Sequence, residues 1–142
     1  MIVRTFGDTT GKTTVSIVHE ESGATIETMA PKDNGGEGLL FSPTDLCATS
    51  LGACAATIMN MYAFNSGIAV GRISYTVDKE MSANPRRIGR LTVNYEIVTD
   101  CSELDFEKIV RAGKTCPLRH SIHPDIVLEE AYDRVAPDTP EG

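Results

Sequence analysis

Apolar and polar positions along the chain fall into short segments whose periods predict the elements one by one. In TTVSIVH (13–19), Val15 and Ile17 alternate with Thr14 and Ser16, the period-two pattern of a half-buried strand. EESG (20–23) reads as a turn and ATIETM (24–29) alternates again, so the two segments predict a hairpin. APKDNGGEG (30–38) is polar, carries Pro31 and three glycines, and predicts a loop.

The pattern then changes to a helical one. Ser42 suits an N-cap, Pro43 the first helical position, and Asp45 completes a Ser-x-x-Asp capping pattern. Helix-favouring residues continue to Asn65, where Ser66-Gly67 marks the end, giving a helix of about 23 residues and about 35 Å. Cys47, Leu51, Cys54, Ile58 and Met61 recur at spacings of four, three, four and three and predict one apolar stripe. Ala48, Gly52, Ala53, Ala55 and Ala56 keep the remaining sides small. Neighbours can approach such a helix closely, so it is expected at the centre of the fold.

RISYTVDKEM (72–81) and RLTVNYEIV (90–98) alternate over their whole lengths and predict two long antiparallel strands, each with one buried face. A second helix is expected from Ser102, with Asp105 three residues on, to about Gly113. A short turn follows Cys116, and IVLEEAY (126–132) predicts a final strand. The order is strand pair, helix, strand pair, helix, strand: an α+β fold in one domain over residues 1–142, with residues 135–142 as a frayed tail. The first helix is long for so few strands, and if it is buried all round a second copy of the chain is needed to cover it. A homodimer is expected.

Composition narrows the function classes. The 142 residues are 41% hydrophobic and 23% charged, ordinary for a soluble globular domain. The net charge of −7, without a run of basic residues, argues against nucleic acid or an anionic membrane surface as the main partner. No uninterrupted apolar run approaches the ~18 residues that would cross a bilayer. MIVRTFGDTT lacks the apolar core of a secretory signal, so a cytoplasmic location is expected. In that compartment the four cysteines stay reduced unless they belong to a redox or metal site.

A buried cysteine among alanines is by default a small core residue. Two thiols in reach of each other can do more: a thiolate attacks peroxide, and the resulting sulfenic acid condenses with the second thiol to a disulfide. Cys47 is too far along the helix to bridge Cys54, since seven helical residues separate their Cα atoms by about 10 Å. Cys101 and Cys116 are the candidate partners. Cys116 precedes Pro117 and suits the N-cap of a short turn, where free amides would favour its thiolate. Cys101 lies between a strand end and Ser102, where simple burial explains it, as it does for Cys47.

SPTDLCATSLGAC (42–54) resembles the central-helix motif of the OsmC/Ohr thiol peroxidases, in which a proline opens the long helix and a catalytic cysteine follows eleven residues later, as Pro43 and Cys54 do here. GGEG (35–38) before the helix and TCPL (115–118) after it are also typical of that family. The resemblance implies an intertwined homodimer, two central helices wrapped by antiparallel sheets, with active sites near the interface. It implies Cys54 as the peroxidatic thiol and Cys116 as the resolving one. The implied substrates are small, often organic, hydroperoxides; the implied reductant is an external dithiol or lipoyl group, with no bound cofactor. The family pattern also has a glutamate directly after the proline, paired with an arginine that activates the first cysteine. Thr44 occupies that position here; the nearest acids are Asp45 and Glu37, and Arg4 is the arginine available from the N-terminal strands. The alternative is a non-catalytic dimer of the same fold that binds a small apolar ligand or senses redox state.

The remaining candidates have plainer readings. Cys116, His120 and His123 lack the second pair of ligands that a structural zinc needs, so no metal is expected. His120 stays a candidate base beside Cys116. Arg86, Arg87 and Arg90 read as a solvated strand connection.

Overall fold

The computed structural model describes residues 1–138, and the chain divides into two compact units, residues 1–47 and Ala48 onward. The first unit is an antiparallel sheet of β1 (Thr5–Thr9), β2 (Thr14–His19) and β3 (Thr25–Met29), with β2 in the middle. The expected hairpin forms, with Ile17 opposite Ile26. β1 is an element that the alternation does not predict. TFGDT has one bulky apolar residue, and it becomes a strand by pairing with β2, Phe6 opposite Val18. Within the expected loop a short 3-10 turn spans Lys32–Asn34 and closes on Gly35 at φ 91°.

α1 spans Pro43–Asn65, as the capping signals require. Ser42 and Asp45 cap it reciprocally: the Asp45 amide donates to Ser42 Oγ at 3.0 Å and the Ser42 amide to Asp45 Oδ2 at 2.9 Å. At its far end Ile68 donates to the Ala63 carbonyl at 2.9 Å, with Gly67 at φ 70°. With one charged residue, Asp45, α1 is long and apolar enough on average to cross a membrane, yet it supplies much of the chain's core.

The second unit builds a sheet in the order β4 (Ile73–Ser82), β5 (Arg87–Val98), β6 (Val127–Val135). β4 and β5 are antiparallel, and Leu91, Val93, Tyr95 and Ile97 of β5 are fully buried, as their alternation requires. α2 (Glu103–Gly113) and the five-residue α3 (Pro117–Ser121) carry the chain back, so β6 joins β5 in parallel. β6 continues to Val135, the first residue of the segment expected to fray; residues 139–142 of that segment lie outside the described residues.

The buried face of α1 differs from the predicted stripe. Ala48, Leu51, Gly52, Ala55, Met59 and Ala63 are buried, while Cys47 and Met61 are exposed and Cys54 and Ile58 half-buried. The face that packs combines large side chains, Leu51 and Met59, with small ones, Ala48, Gly52, Ala55 and Ala63, which let neighbours come close. A Cβ on Gly52 would lie 2.4 Å from the Tyr75 ring, and one on Gly113 would lie 2.7 Å from Met59 Cγ.

Candidate thiol site

Cys54, half-buried on α1, and Cys116, fully buried at the N-cap of α3, meet inside the second unit. All four cysteines are free, and the Cys116 thiol donates a hydrogen bond to the Cys54 sulfur. The thiolate expected at Cys116 is not favoured. Burial pushes its pKa up, the hydrogen bond to Cys54 adds to this, and the amides of Arg119 and Leu118 only partly oppose it. The N-cap position is as expected, but the side chain makes no capping hydrogen bond, and desolvation outweighs the helix end. Cys116 therefore keeps its proton at neutral pH.

Three tyrosines of the second unit lie in register across its sheet. Tyr75 of β4 pairs with Tyr95 of β5, which pairs with Tyr132 of β6. Their rings pack side by side: Tyr95 stacks on Tyr132 at 4.8 Å and 9°, and meets Tyr75 at 6.3 Å. The Tyr75 hydroxyl is 2.9 Å from Thr49 Oγ1. Tyr132 donates to Glu130 Oε2 at 2.6 Å, and Arg119 Nε donates to Glu130 Oε1 at 2.8 Å, so that a carboxylate with 8% exposure is held on both oxygens. Tyr95 differs: its buried hydroxyl has no hydrogen-bond partner among the described residues. Burial raises its pKa far above the ordinary phenol range, with Glu130, Cys116, Tyr75 and Cys54 adding to the effect in that order. Tyr132 is raised likewise, by burial first and then by its bond to Glu130.

Residues 35–131 match the model of the family described as OsmC-like protein. The chain belongs to the OsmC family. The fold also matches solved structures. One is a Psychrobacter arcticus 273-4 protein named for osmotic stress induction and detoxification response, at 32% identity, with 93% of this chain and 96% of that one covered and a TM-score of 0.86. Another is an organic hydroperoxide resistance protein OsmC from Legionella pneumophila, at 18% identity, 94% and 97% coverage and a TM-score of 0.71. A third is an organic hydroperoxide resistance protein from Elizabethkingia anophelis, at 14% identity, 95% and 97% coverage and a TM-score of 0.75. No match was found among the curated proteins.

Other candidates of this OsmC-family chain lie outside the thiol pair. Arg4, 63% exposed, stands 4.0 Å from Glu20, and Glu37 is exposed in its loop; both belong to the first unit. Asp45 is engaged in the helix cap, and Thr44 Oγ1 lies 3.1 Å from Ser42 Oγ in the same turn. Cys101 is packed against the core, its carbonyl accepting from Arg134 at 2.9 Å. His120 and His123 are exposed, and no group of three or more His, Cys, Asp or Glu among the described residues is placed to hold a metal ion. Arg87 approaches Asp125 at 3.8 Å, and Arg90 pairs with Glu80 and Glu129 across the sheet. The tyrosine row escapes sequence reasoning because only the strand register aligns it, and the Arg119–Glu130 pair because only the folded chain brings α3 to β6.

Proposed function

We propose that the protein is a thiol-dependent peroxidase that reduces small organic hydroperoxides. The contact between the Cys54 and Cys116 thiols is the observation that carries this reading. The Cys54 thiolate attacks the distal oxygen of the hydroperoxide; an S–O bond forms, the O–O bond breaks, and the alkoxide takes back from solvent the proton that Cys54 released on ionising and leaves as the alcohol. The product is a Cys54 sulfenic acid. Cys116, held next to it and protonated, then attacks the Cys54 sulfur: the S–S bond forms, and the hydroxyl departs with the Cys116 proton as water. An external dithiol, lipoyl-type in chemistry, reduces the bridge and is itself oxidised to a disulfide. That cycle suits a reducing cytoplasm and needs no bound cofactor.

The functional unit we propose is a homodimer. Support comes from bulky apolar side chains left on the surface of one copy, Phe6 and Ile26 in the first unit and Met61 and Phe64 on α1, the last 85% exposed. In the second unit Met61, Phe64, Ile68 and Val70 line an open cavity of about 510 Å³ suited to an apolar partner surface. Light scattering at micromolar protein is expected to give twice the chain mass.

Peptide mass spectrometry after substoichiometric cumene hydroperoxide tests the chemistry. The expected product is a Cys54–Cys116 bridge. No bridge, together with Cys54→Ser consuming peroxide as fast as wild type, would overturn the reading. Many dithiol-coupled turnovers per chain would exclude a role limited to ligand binding or redox sensing.

A further inference from the structure

We propose that the Tyr95 hydroxyl is the hydrogen-bond donor for the oxygen that Cys54 takes from the peroxide. The inference rests on the peroxidase reading above and adds to it a group outside the thiol pair.

Phenylalanine would serve the packing at this position as well as tyrosine does. Tyr95 is fully buried, its ring stacks on Tyr132 and packs at a tilt against Tyr75, and neither contact needs a hydroxyl. Its two neighbours in the row spend their hydroxyls on Thr49 and Glu130; the Tyr95 hydroxyl is the buried side-chain polar atom left with nothing to bond among the described residues. Buried polar groups are almost always paired, so one that is not points to an acceptor that arrives later. The thiols offer that acceptor. Cys116 belongs to the same buried cluster as Tyr95, and Cys54 packs against that cluster. Neither sulfur bonds the hydroxyl in the reduced protein, but an oxygen added to Cys54 extends a strong acceptor into this cluster.

The chemical consequence follows from the proton inventory. With its pKa raised, Tyr95 stays protonated at every working pH and donates without giving up its proton. While the S–S bond forms and the S–O bond breaks, negative charge grows on the departing oxygen. A donor there stabilises this charge until the oxygen takes the Cys116 proton and leaves as water. Peroxide attack by Cys54 is much less affected, because the donor acts on the oxygen after its transfer.

Tyr95→Phe separates the two steps. Expected are a rate of peroxide consumption in the first turnover within about twofold of wild type, and bridge formation slower by about tenfold or more. A Cys54 sulfenic acid should accumulate, trapped as its dimedone adduct; a packing defect alone would not produce this split. Should the variant not fold, Cys116→Ser, which stops at the sulfenic acid, supplies the second measurement. Addition of peroxide to it should convert one tyrosine from non-donor to donor in the tyrosine Raman doublet, and an unchanged doublet overturns the proposal. Wild type that bridges while Tyr95→Phe bridges equally fast overturns the Tyr95 role alone. Wild type that forms neither adduct nor bridge overturns this proposal together with the peroxidase reading.

Discussion

The two sheets of this chain have three strands each but differ in what they bury. In β1–β3, Thr28 is the one buried residue, and Ile26, 51% exposed, and Phe6 are open to solvent. In β4–β6, by contrast, β5 buries every second side chain from Leu91 to Ile97 and packs with α1 into the core that holds both thiols. One sheet is a surface that lacks a core of its own within the described chain. The other is a complete core with a reactive pair built into it. Backbone pairing alone makes a strand, as β1 shows, but only a covered face fixes side chains well enough to hold two sulfurs in contact.

Substitutions in the second sheet should therefore weigh most. Ile97→Ala removes a fully buried side chain and is expected to cost about 2–5 kcal/mol in urea unfolding. A loss under 1 kcal/mol would mean that the second unit is not the core. Gly52→Ala comes next, at about 1–3 kcal/mol, because the new Cβ would start 2.4 Å from the Tyr75 ring. The same variant is expected to slow Cys54–Cys116 bridging, since α1 must move off the sheet to fit it. A Gly52→Ala protein as stable as wild type would show that the contact relaxes freely.

Alkaline pH probes the same core by another route. Cys116, Tyr95 and Tyr132 all have raised pKa values, and all belong to the second unit. The folded protein holds these protons after the unfolded chain has released them. Below about pH 8.5 for a thiol and about pH 10 for a phenol both states are protonated, and their contribution is fully present. As pH rises beyond those values the unfolded chain deprotonates first and stability falls. Unfolding free energies at increasing alkaline pH should thus decline, and Tyr95→Phe should decline less steeply. Equal slopes for the two proteins would break the link between the buried phenol and the loss.

What was legible in the sequence was what local chemistry decides. The ends of α1 follow from Ser42, Asp45 and Gly67, and the start of α2 from Ser102, whose hydroxyl accepts from the Asp105 amide at 3.1 Å. Cys54 and Cys116 stood out because one lies on a small-sided helix and the other before a proline. Long-range facts were illegible. An apolar helix has no single preferred face, so spacing selected Cys47 and Met61 where packing selects Ala48 and Met59. The charge state of Cys116 is not legible in its local sequence, because its burial depends on the assembled core. Strand order and direction hid the tyrosine row, since Tyr132 meets Tyr95 only because β6 joins β5 in parallel.

The smallest expected effect tests the first sheet. Ile26 lies opposite Ile17 on β3 and is 51% exposed, so Ile26→Ala should change the stability of the dilute chain by no more than about 0.5 kcal/mol. Concentration gives this small number its meaning. If a second copy covers the sheet, the wild type gains stability as protein concentration rises, and Ile26→Ala gains less, because mass action rewards only the associated form. Urea melts at widely separated concentrations measure both quantities. A cost above about 1.5 kcal/mol at the lowest concentration would mean that the first sheet has a core within one chain, and the contrast between the sheets would fail. A small cost at every concentration would leave the sheet open and remove it from the dimer interface.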